Sequence, residues 1–209
     1  MVLIVLFPGW SGNSPKQNFS LLKKRLEEIP GVNVKIIDYL GISGPFTKFR
    51  TRSSIKELAD NAEKNLPYLG GEKVIVVGHS LGAVILRILV ERGHKFDECV
   101  FAGGPHKGFK DKYLWQYPLA ALLGVKPFFE LIPGSDFLKS LGQAPPGIYV
   151  GSKIDEKVSS ESAIPEEANR KICLCCCGHN MFPYKKEEEA RSAIPVVVEI
   201  IEKYVNKSQ

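Results

Sequence analysis

The sequence predicts an α/β protein, a three-layer α/β/α sandwich with about six mostly parallel strands and helices on both faces. Short runs of β-branched and aliphatic residues alternate along the chain with segments of helical periodicity. These runs are apolar throughout, as in strands that are buried on both faces. The chain has 209 residues, 44% hydrophobic and 24% charged, and neither a repeat nor a linker, so residues 1–209 are expected to form one domain.

The chain begins with the apolar run "VLIVLF" (2–7), which predicts the first strand. A helix is expected to follow from Ser14, an N-cap residue with Pro15 at the first helical position and Gln17 completing a capping box. Apolar residues then recur at helical spacing until the "PG" of 30–31 ends the helix.

The next four elements continue the alternation. "VNVKIIDY" (32–39) predicts the second strand, and the apolar positions of 54–66 lie on one helical face. "KVIVV" (73–77) predicts the third strand. The segment 81–93 predicts a helix that is apolar almost all round, so we expect it to be buried.

Three further strands and a last helix complete the prediction. The strands are "ECVFAGG" (98–104), "GIYVGS" (147–152) and "KICLCCC" (171–177). The helix covers "PVVVEIIEKYV" (195–205), with Pro195 at a suitable start position.

About forty residues, 105–146, separate the fourth and fifth strands, where a short crossover would suffice. Part of this segment can be an ordinary crossover helix. Its many aromatic and aliphatic residues predict that another part forms a cap or pocket wall that offers apolar surface to a substrate. The candidate substrate-contacting residues are Trp115, Tyr117, Phe128 and Phe129.

Composition limits the partners. The net charge of +5 is modest and no nucleic-acid-binding motif is present, so nucleic acid is not an expected partner and membrane contact is expected to be weak and peripheral at most. The N-terminal apolar run is too short for a membrane span or a signal-peptide core, which predicts a cytoplasmic protein. The sequence does not indicate an oligomeric state.

Four of the five cysteines lie in "CLCCCGH", from Cys173 to Cys177. Alternate residues of a strand lie roughly 7 Å apart and adjacent ones face opposite sides, which does not converge several sulfurs on one ion. We therefore expect a buried strand that uses cysteine as a small apolar residue, and neither a metal nor a cofactor.

The stretch "VIVVGHSLGAV" (74–84) contains Gly78-His79-Ser80-Leu81-Gly82, which matches G-x-S-x-G. In this motif a nucleophilic serine lies on a strained turn from a strand to a helix, and the glycines allow close approach of neighbouring backbone. A phosphate-binding loop is the alternative, but neither G-x-G-x-x-G nor G-x-x-x-x-G-K-[ST] is present. The motif predicts that Ser80 is a nucleophile.

A serine nucleophile needs a base, and the chain has four histidines. His79 lies inside the motif and His94 follows a helix end. His106 and His179 each follow a predicted strand, at the sheet edge where catalytic groups gather. His179 is favoured because an acid precedes it in the order serine, acid, histidine.

The acid that orients this histidine is predicted to be Asp155, directly after the fifth strand. Its neighbour Glu156 is the first alternative and Asp136 the second. Two backbone N–H groups should hold the oxyanion, that of Leu81 after the nucleophile and that of Trp10 in the loop after the first strand.

Four stretches resemble the α/β-hydrolase superfamily, and within it small microbial lipases and esterases: "FPGWSGN", "VVGHSLGAV", "GGPHKGF" with "ELIPGSDFLKSL", and "DEKVSSESA" with "CGHN". The chain departs in having Pro8-Gly9 where such lipases usually have His-Gly, and in beginning at what is usually the third strand. The resemblance implies the α/β-hydrolase fold and hydrolysis of a carboxylic ester without a metal. The apolar segment 113–141 favours a lipid or other acyl ester as the substrate. An acyl thioesterase or amidase that uses the same three residues, Ser80, Asp155 and His179, is the first alternative. A non-catalytic protein that binds a lipid or a partner is the second.

Overall fold

A computed structural model describes residues 1–10, 19–41 and 51–206, with only the backbone at 113–115. Six strands form one sheet: β1 Val2–Phe7, β2 Val32–Ile36, β3 Lys73–His79, β4 Glu98–Ala102, β5 Ile148–Ser152 and β6 Arg170–Leu174. Their order is β2-β1-β3-β4-β5-β6, and every neighbouring pair is parallel. The predicted sheet is therefore confirmed.

Eight α-helices lie within the described ranges: α1 Ser20–Glu27, α2 Ile55–Lys64, α3 Leu81–Glu91, α4 Tyr117–Leu123, α5 Lys126–Glu130, α6 Asp136–Ser140, α7 Ser160–Ala163 and α8 Ile194–Asn206. Two 3₁₀ segments, Asp111–Gln116 and Lys186–Arg191, precede α4 and α8. The predicted start of the first helix, Ser14, Pro15 and Gln17, lies outside the described residues.

The two faces of the sheet form separate cores because successive strand residues point to opposite sides. In β1, Leu3, Val5 and Phe7 face the core shared with α2 and α3. The alternate residues of β1 face the core shared with α1 and α8. As predicted, α3 is buried along most of its length, since it packs against the centre of the sheet.

Several predicted boundaries were too long. β2 ends at Ile36 instead of residue 39, and α3 ends at Glu91 instead of residue 93. β6 ends at Leu174, so most of the cysteine cluster lies beyond the strand. Cys173, Cys175 and Cys176 are exposed and Cys177 is buried, which corrects the expectation of a buried cysteine strand. β6 is an edge strand, and its one-sided environment tolerates polar and exposed residues that a central strand would not.

The segment 105–146, part of which was expected to be an ordinary crossover helix, contains three short α-helices. α4, α5 and α6 have seven, five and five residues. Residues of α4 and α5 form a small hydrophobic cluster of their own, built on Ala120, Val125 and Phe128. Partly buried Trp10, three residues after β1, packs against this cluster, so the segment lies over the end of the sheet where β1 terminates.

Strand order places a crevice between β1 and β3. The chain turns to β2 on one side of β1 and continues through β3 to β6 on the other. At such a reversal the loops after the two strands separate to opposite sides and leave a crevice at the carboxyl edge of the sheet. Trp10 follows β1 and Ser80 follows β3, so both lie at this edge.

Candidate active site

Ser80 connects β3 to α3 in a strained conformation. Its φ of 52° and ψ of −122° make it the one non-glycine residue with positive φ in the described ranges. Such a conformation costs about 1–3 kcal/mol and persists only where the surroundings enforce it. The Ser80 N–H donates to the Ala102 carbonyl of β4 (2.9 Å), which ties the turn to the neighbouring strand.

The two motif glycines are required by close backbone packing. A Cβ on Gly82 would lie 2.1 Å from the Phe7 carbonyl oxygen, and one on Gly78 would lie 2.7 Å from the Ala83 Cα. These separations are far below van der Waals contact, so no other residue fits without moving β1 or α3. The crowding expected from the motif is confirmed.

Ser80, His179 and Asp155 form a continuous hydrogen-bonded chain. The Ser80 hydroxyl is 2.8 Å from His179 Nε2, and His179 Nδ1 is 2.9 Å from Asp155 Oδ2. All three residues are buried. Because Nδ1–H donates to the carboxylate, Nε2 is left free to accept the serine proton.

Asp155 is held ionised by its hydrogen bonds. Burial alone would raise the pKa of Asp155, but the hydrogen bond from His179 and the backbone N–H groups of Val158 and Lys157 lower it below its ordinary value. The Lys157 and Val158 N–H groups lie 2.8 and 3.0 Å from Asp155 Oδ1. The carboxylate can therefore face the imidazole as an anion at neutral pH.

Glu156, the first alternative acid, has a different position. Its carboxylate accepts the backbone N–H of His179 at 2.9 Å. Burial raises the pKa of Glu156, but this hydrogen bond lowers it, and the net shift is downward. Glu156 thus holds the loop of His179, while Asp155 holds its ring.

His79 also holds the loop of His179, through a hydrogen bond to its backbone. Its Nε2 lies 2.9 Å from the His179 carbonyl oxygen, so Nε2–H is the donor. Burial, together with the charge of His179, lowers the pKa of His79 to about 3. His79 is consequently a neutral structural group, and sequence reasoning about the nucleophile motif did not identify this contact.

The remaining alternatives lie elsewhere. His106 is buried between the rings of Phe101 and Tyr149, with centroids 6.0 and 5.5 Å away, and does not line the pocket at Ser80. Asp136 is an exposed residue of α6 that approaches Lys139 at 3.8 Å. Neither contacts His179 or Ser80.

A pocket of about 550 Å³, including its open mouth, lies above the serine and histidine. Five of the nine residues that line it are apolar, and the other four carry a hydroxyl, an imidazole, an amide and an ammonium group. The lining consists of Trp10, Ser80, Leu81, Phe109, Gln116, Phe128, Leu131, Lys157 and His179. Such a lining suits a substrate with an apolar chain and a polar reacting group.

Of the four aromatic residues predicted to contact a substrate, Phe128 lines the pocket. Tyr117 and Phe129 do not, and they pack against each other with ring centroids 5.1 Å apart. The side chain of Trp115 lies outside the described residues. Phe109, Leu131 and Lys157 line the pocket without having been predicted individually, although "GGPHKGF" and "ELIPGSDFLKSL" contain the first two.

The loop of Pro8, Gly9 and Trp10 passes close to the serine. A Cβ on Gly9 would lie 2.9 Å from His79 Nδ1 and 3.0 Å from the Ser80 Cβ, so a larger residue would have to displace one of these side chains. The Tyr39 hydroxyl donates to the Pro8 carbonyl, and Trp10 Nε1 donates to Thr51 Oγ1 at 3.1 Å. These contacts fix the loop, and both Trp10 and Leu81 line the pocket.

Two further observations concern ligands and membranes. Within 1–10, 19–41 and 51–206, no group of three or more histidine, cysteine or acidic residues is arranged to hold a metal ion. No helix in the same ranges has the length and apolar character needed to cross a membrane.

The parallel six-stranded sheet and the strained serine turn define an α/β-hydrolase. Solved structures with this fold include α/β hydrolase domain-containing protein 10 from mouse, with a TM-score of 0.63, 17% identity, and coverage of 99% of this chain and 90% of that chain. The esterase EaEST from Exiguobacterium antarcticum has a TM-score of 0.63, 16% identity, and coverage of 99% and 92%. A lipase-esterase related protein from Clostridium acetobutylicum has a TM-score of 0.63, 16% identity, and coverage of 97% and 93%.

The family model described as palmitoyl protein thioesterase matches residues 3–143, and the chain belongs to that family. Among curated protein sequences, none matches the chain at a significant level. The protein is thus a hydrolase of an esterase or thioesterase family, and the resemblance to α/β-hydrolases drawn from its motifs is confirmed.

Proposed function

We propose that the protein is a serine hydrolase that cleaves acyl esters or thioesters through an acyl-enzyme intermediate on Ser80. The observation that carries this proposal is the hydrogen-bonded chain from Ser80 through His179 to Asp155, at 2.8 and 2.9 Å. Three buried groups in this order are the arrangement that acyl transfer requires.

In the proposed mechanism, Nε2 of His179 accepts the Ser80 proton as Oγ attacks the substrate carbonyl carbon. The N–H groups of Leu81 and Trp10 donate to the developing oxyanion. His179 then protonates the leaving alcohol or thiol as its bond to the carbonyl carbon breaks. Water repeats the cycle and releases the acid.

The pocket and the family favour a lipid-like acyl group. Trp10, Phe109, Phe128 and Leu131 offer apolar surface next to Ser80. The description of the matching family, palmitoyl protein thioesterase, supports a fatty acyl thioester as the natural class of substrate. The leaving group does not take part in the hydrogen-bonded chain, so the same residues also serve an oxyester.

The nucleophile is tested with a fluorophosphonate probe, which modifies activated serines. The wild-type protein should gain one adduct by intact mass, and Ser80→Ala should gain none. Ser162→Ala is a matched control, because Ser162 is also buried but donates its hydroxyl to the Gly108 carbonyl. A folded wild-type protein that never labels would contradict catalysis and favour a lipid- or partner-binding protein.

The substrate class is tested with two matched series. In p-nitrophenyl esters of increasing acyl length, kcat/KM should rise from acetate to octanoate, and a preference for acetate counts against a lipid substrate. Octanoylthiocholine and octanoylcholine then differ only in sulfur or oxygen at the cleaved bond. A higher kcat/KM for the thioester would assign the protein to thioester hydrolysis, and the reverse would assign it to oxyesters.

A further inference from the structure

Helix α4 presents an apolar surface to solvent. None of its seven residues is charged, and five of them are exposed: Tyr117, Pro118, Leu119, Ala121 and Leu122. The exposed fraction reaches 81% for Leu122 and about half for Tyr117 and Leu119. A surface helix normally carries polar residues on its solvent side, so an uncharged outer face needs an explanation.

The inner side of α4 sets this orientation. Ala120 is buried, and with partly buried Leu123 it packs against Val125 and Phe128 in the cluster beside the pocket. Gln116 directly precedes the helix, and both Gln116 and Phe128 line the pocket at Ser80. Helix α4 is therefore fixed beside the pocket, with its outer face directed to solvent.

Basic residues flank the helix at both ends. Lys110 and Lys112 precede it, with Asp111 between them, and the half-buried Lys110 ammonium donates to the Asp155 carbonyl at 2.5 Å. Arg52 donates to the Leu123 carbonyl at 2.6 Å at the C-terminal end, where Lys126 begins α5. Lys126 lies 3.6 Å from Glu57, so some positive charge there is compensated. Three acids, Asp111, Glu57 and Glu130, oppose the four cations Lys110, Lys112, Arg52 and Lys126, which leaves one positive charge in excess around α4.

We propose that the outer face of α4 docks on the surface of an anionic lipid bilayer. Exposed apolar side chains with flanking lysine and arginine residues are the combination that binds such a surface, because the apolar groups enter the headgroup boundary and the cations meet anionic lipids. A second copy of the chain fits less well, since a two-turn helix offers far less than the roughly 1,200 Å² that a stable interface needs.

Because the inner side of α4 adjoins the pocket wall, docking through its outer face brings the pocket close to the membrane. If the proposed hydrolase function holds, substrates with acyl chains in the bilayer would then lie near Ser80. The docking itself does not depend on that function, because the contacts are made by α4 and not by Ser80 or His179.

The experiment measures co-sedimentation with vesicles of phosphatidylcholine containing roughly 30% phosphatidylserine, the anionic lipid of the inner leaflet. The parent is the Ser80→Ala variant, so hydrolysis cannot alter the vesicles. Leu119→Ser/Leu122→Ser should reduce the bound-to-free ratio about tenfold or more, because two exposed leucines are lost from the contact. Tyr68→Ser is the matched control, since Tyr68 is 93% exposed outside residues 105–146, and it should leave binding unchanged.

Binding of the parent should also fall on vesicles of phosphatidylcholine alone, which carry no anionic lipid for the lysine and arginine side chains. It should fall likewise at high salt, which screens the attraction between these side chains and the anionic lipid. Undiminished binding of the double leucine variant, or no binding by the parent, would overturn the proposal. So would a dimer of the parent that dissociates in the double variant, seen by sedimentation velocity, because a second copy would then cover the face. The double leucine variant is also made with Ser80 present, and its labelling by the fluorophosphonate shows that this variant is folded. Failure of the wild type to label would count against the hydrolase function alone, and not against docking.

Discussion

At the scale of single residues, Asp155 and Glu156 hold His179 by different groups. Asp155 accepts the ring N–H at 2.9 Å, whereas Glu156 accepts the backbone N–H at 2.9 Å. Asp155 and Glu156 are consecutive residues in the loop after β5, so only the folded geometry shows which group of His179 each carboxylate holds. The two side chains should therefore respond differently to replacement by their amides.

We expect Asp155→Asn to lower kcat by about 10³–10⁴-fold, because the introduced amide donates to Nδ1 and forces the imidazole proton onto Nε2. Glu156→Gln should cost less than about tenfold, since the amide oxygen still accepts the His179 N–H. Steady-state kinetics on a p-nitrophenyl ester measure both, with thermal unfolding as the control for folding. Equal losses in the two variants would show that Glu156 does more than hold the loop.

At the scale of elements, the turn between β3 and α3 depends on tight packing against β1. A Cβ on Gly82 would lie 2.1 Å from the Phe7 carbonyl oxygen and 2.6 Å from that of Pro8. Any side chain here separates the turn that carries Ser80 from the loop of Trp10, which is proposed to supply an oxyanion donor. Stability and activity should therefore fall together.

We expect Gly82→Ala to destabilise the protein by about 2 kcal/mol or more, the cost of overpacking a rigid core, and to abolish measurable ester hydrolysis. Gly142→Ala is the control, because a Cβ there meets nothing closer than a Glu91 carboxylate oxygen at 3.8 Å. Denaturant unfolding measures both variants. A Gly82→Ala protein with wild-type stability would mean that β1 and α3 separate without cost.

The sequence predicted the elements unequally, for physical reasons. Central strands such as β1 and β3 were recognised because burial on both faces demands continuous apolar runs. Helices α4, α5 and α6 were not resolved, since five to seven residues do not establish a helical period. The pocket likewise joins Trp10, Leu131 and Lys157 from distant segments, and no local pattern links them.

At the scale of the whole molecule, two buried histidines couple folding to pH. Burial lowers the pKa of His106 to about 3, and burial with the charge of His179 lowers that of His79 to about 3. An unfolded chain binds a proton at each histidine near pH 6.5. The unfolded state therefore binds more protons than the native state below that pH. Stability is present above about pH 6.5 and is lost as the pH falls towards 3.

The contribution of His106 can be isolated because it lies outside the pocket. No described protein atom hydrogen-bonds either of its ring nitrogens, so an apolar side chain of similar size loses no partner. His106→Leu should remove one proton from the linkage and lower the slope of unfolding free energy against pH by about 1.4 kcal/mol per pH unit between pH 4 and 6. Denaturant unfolding at a series of pH values measures this slope, and fluorophosphonate labelling at pH 7.5 checks that the site is intact. Equal slopes of unfolding free energy against pH in the wild type and the variant would contradict the prediction. They would show that His106 binds its proton as readily in the folded protein as in the unfolded chain.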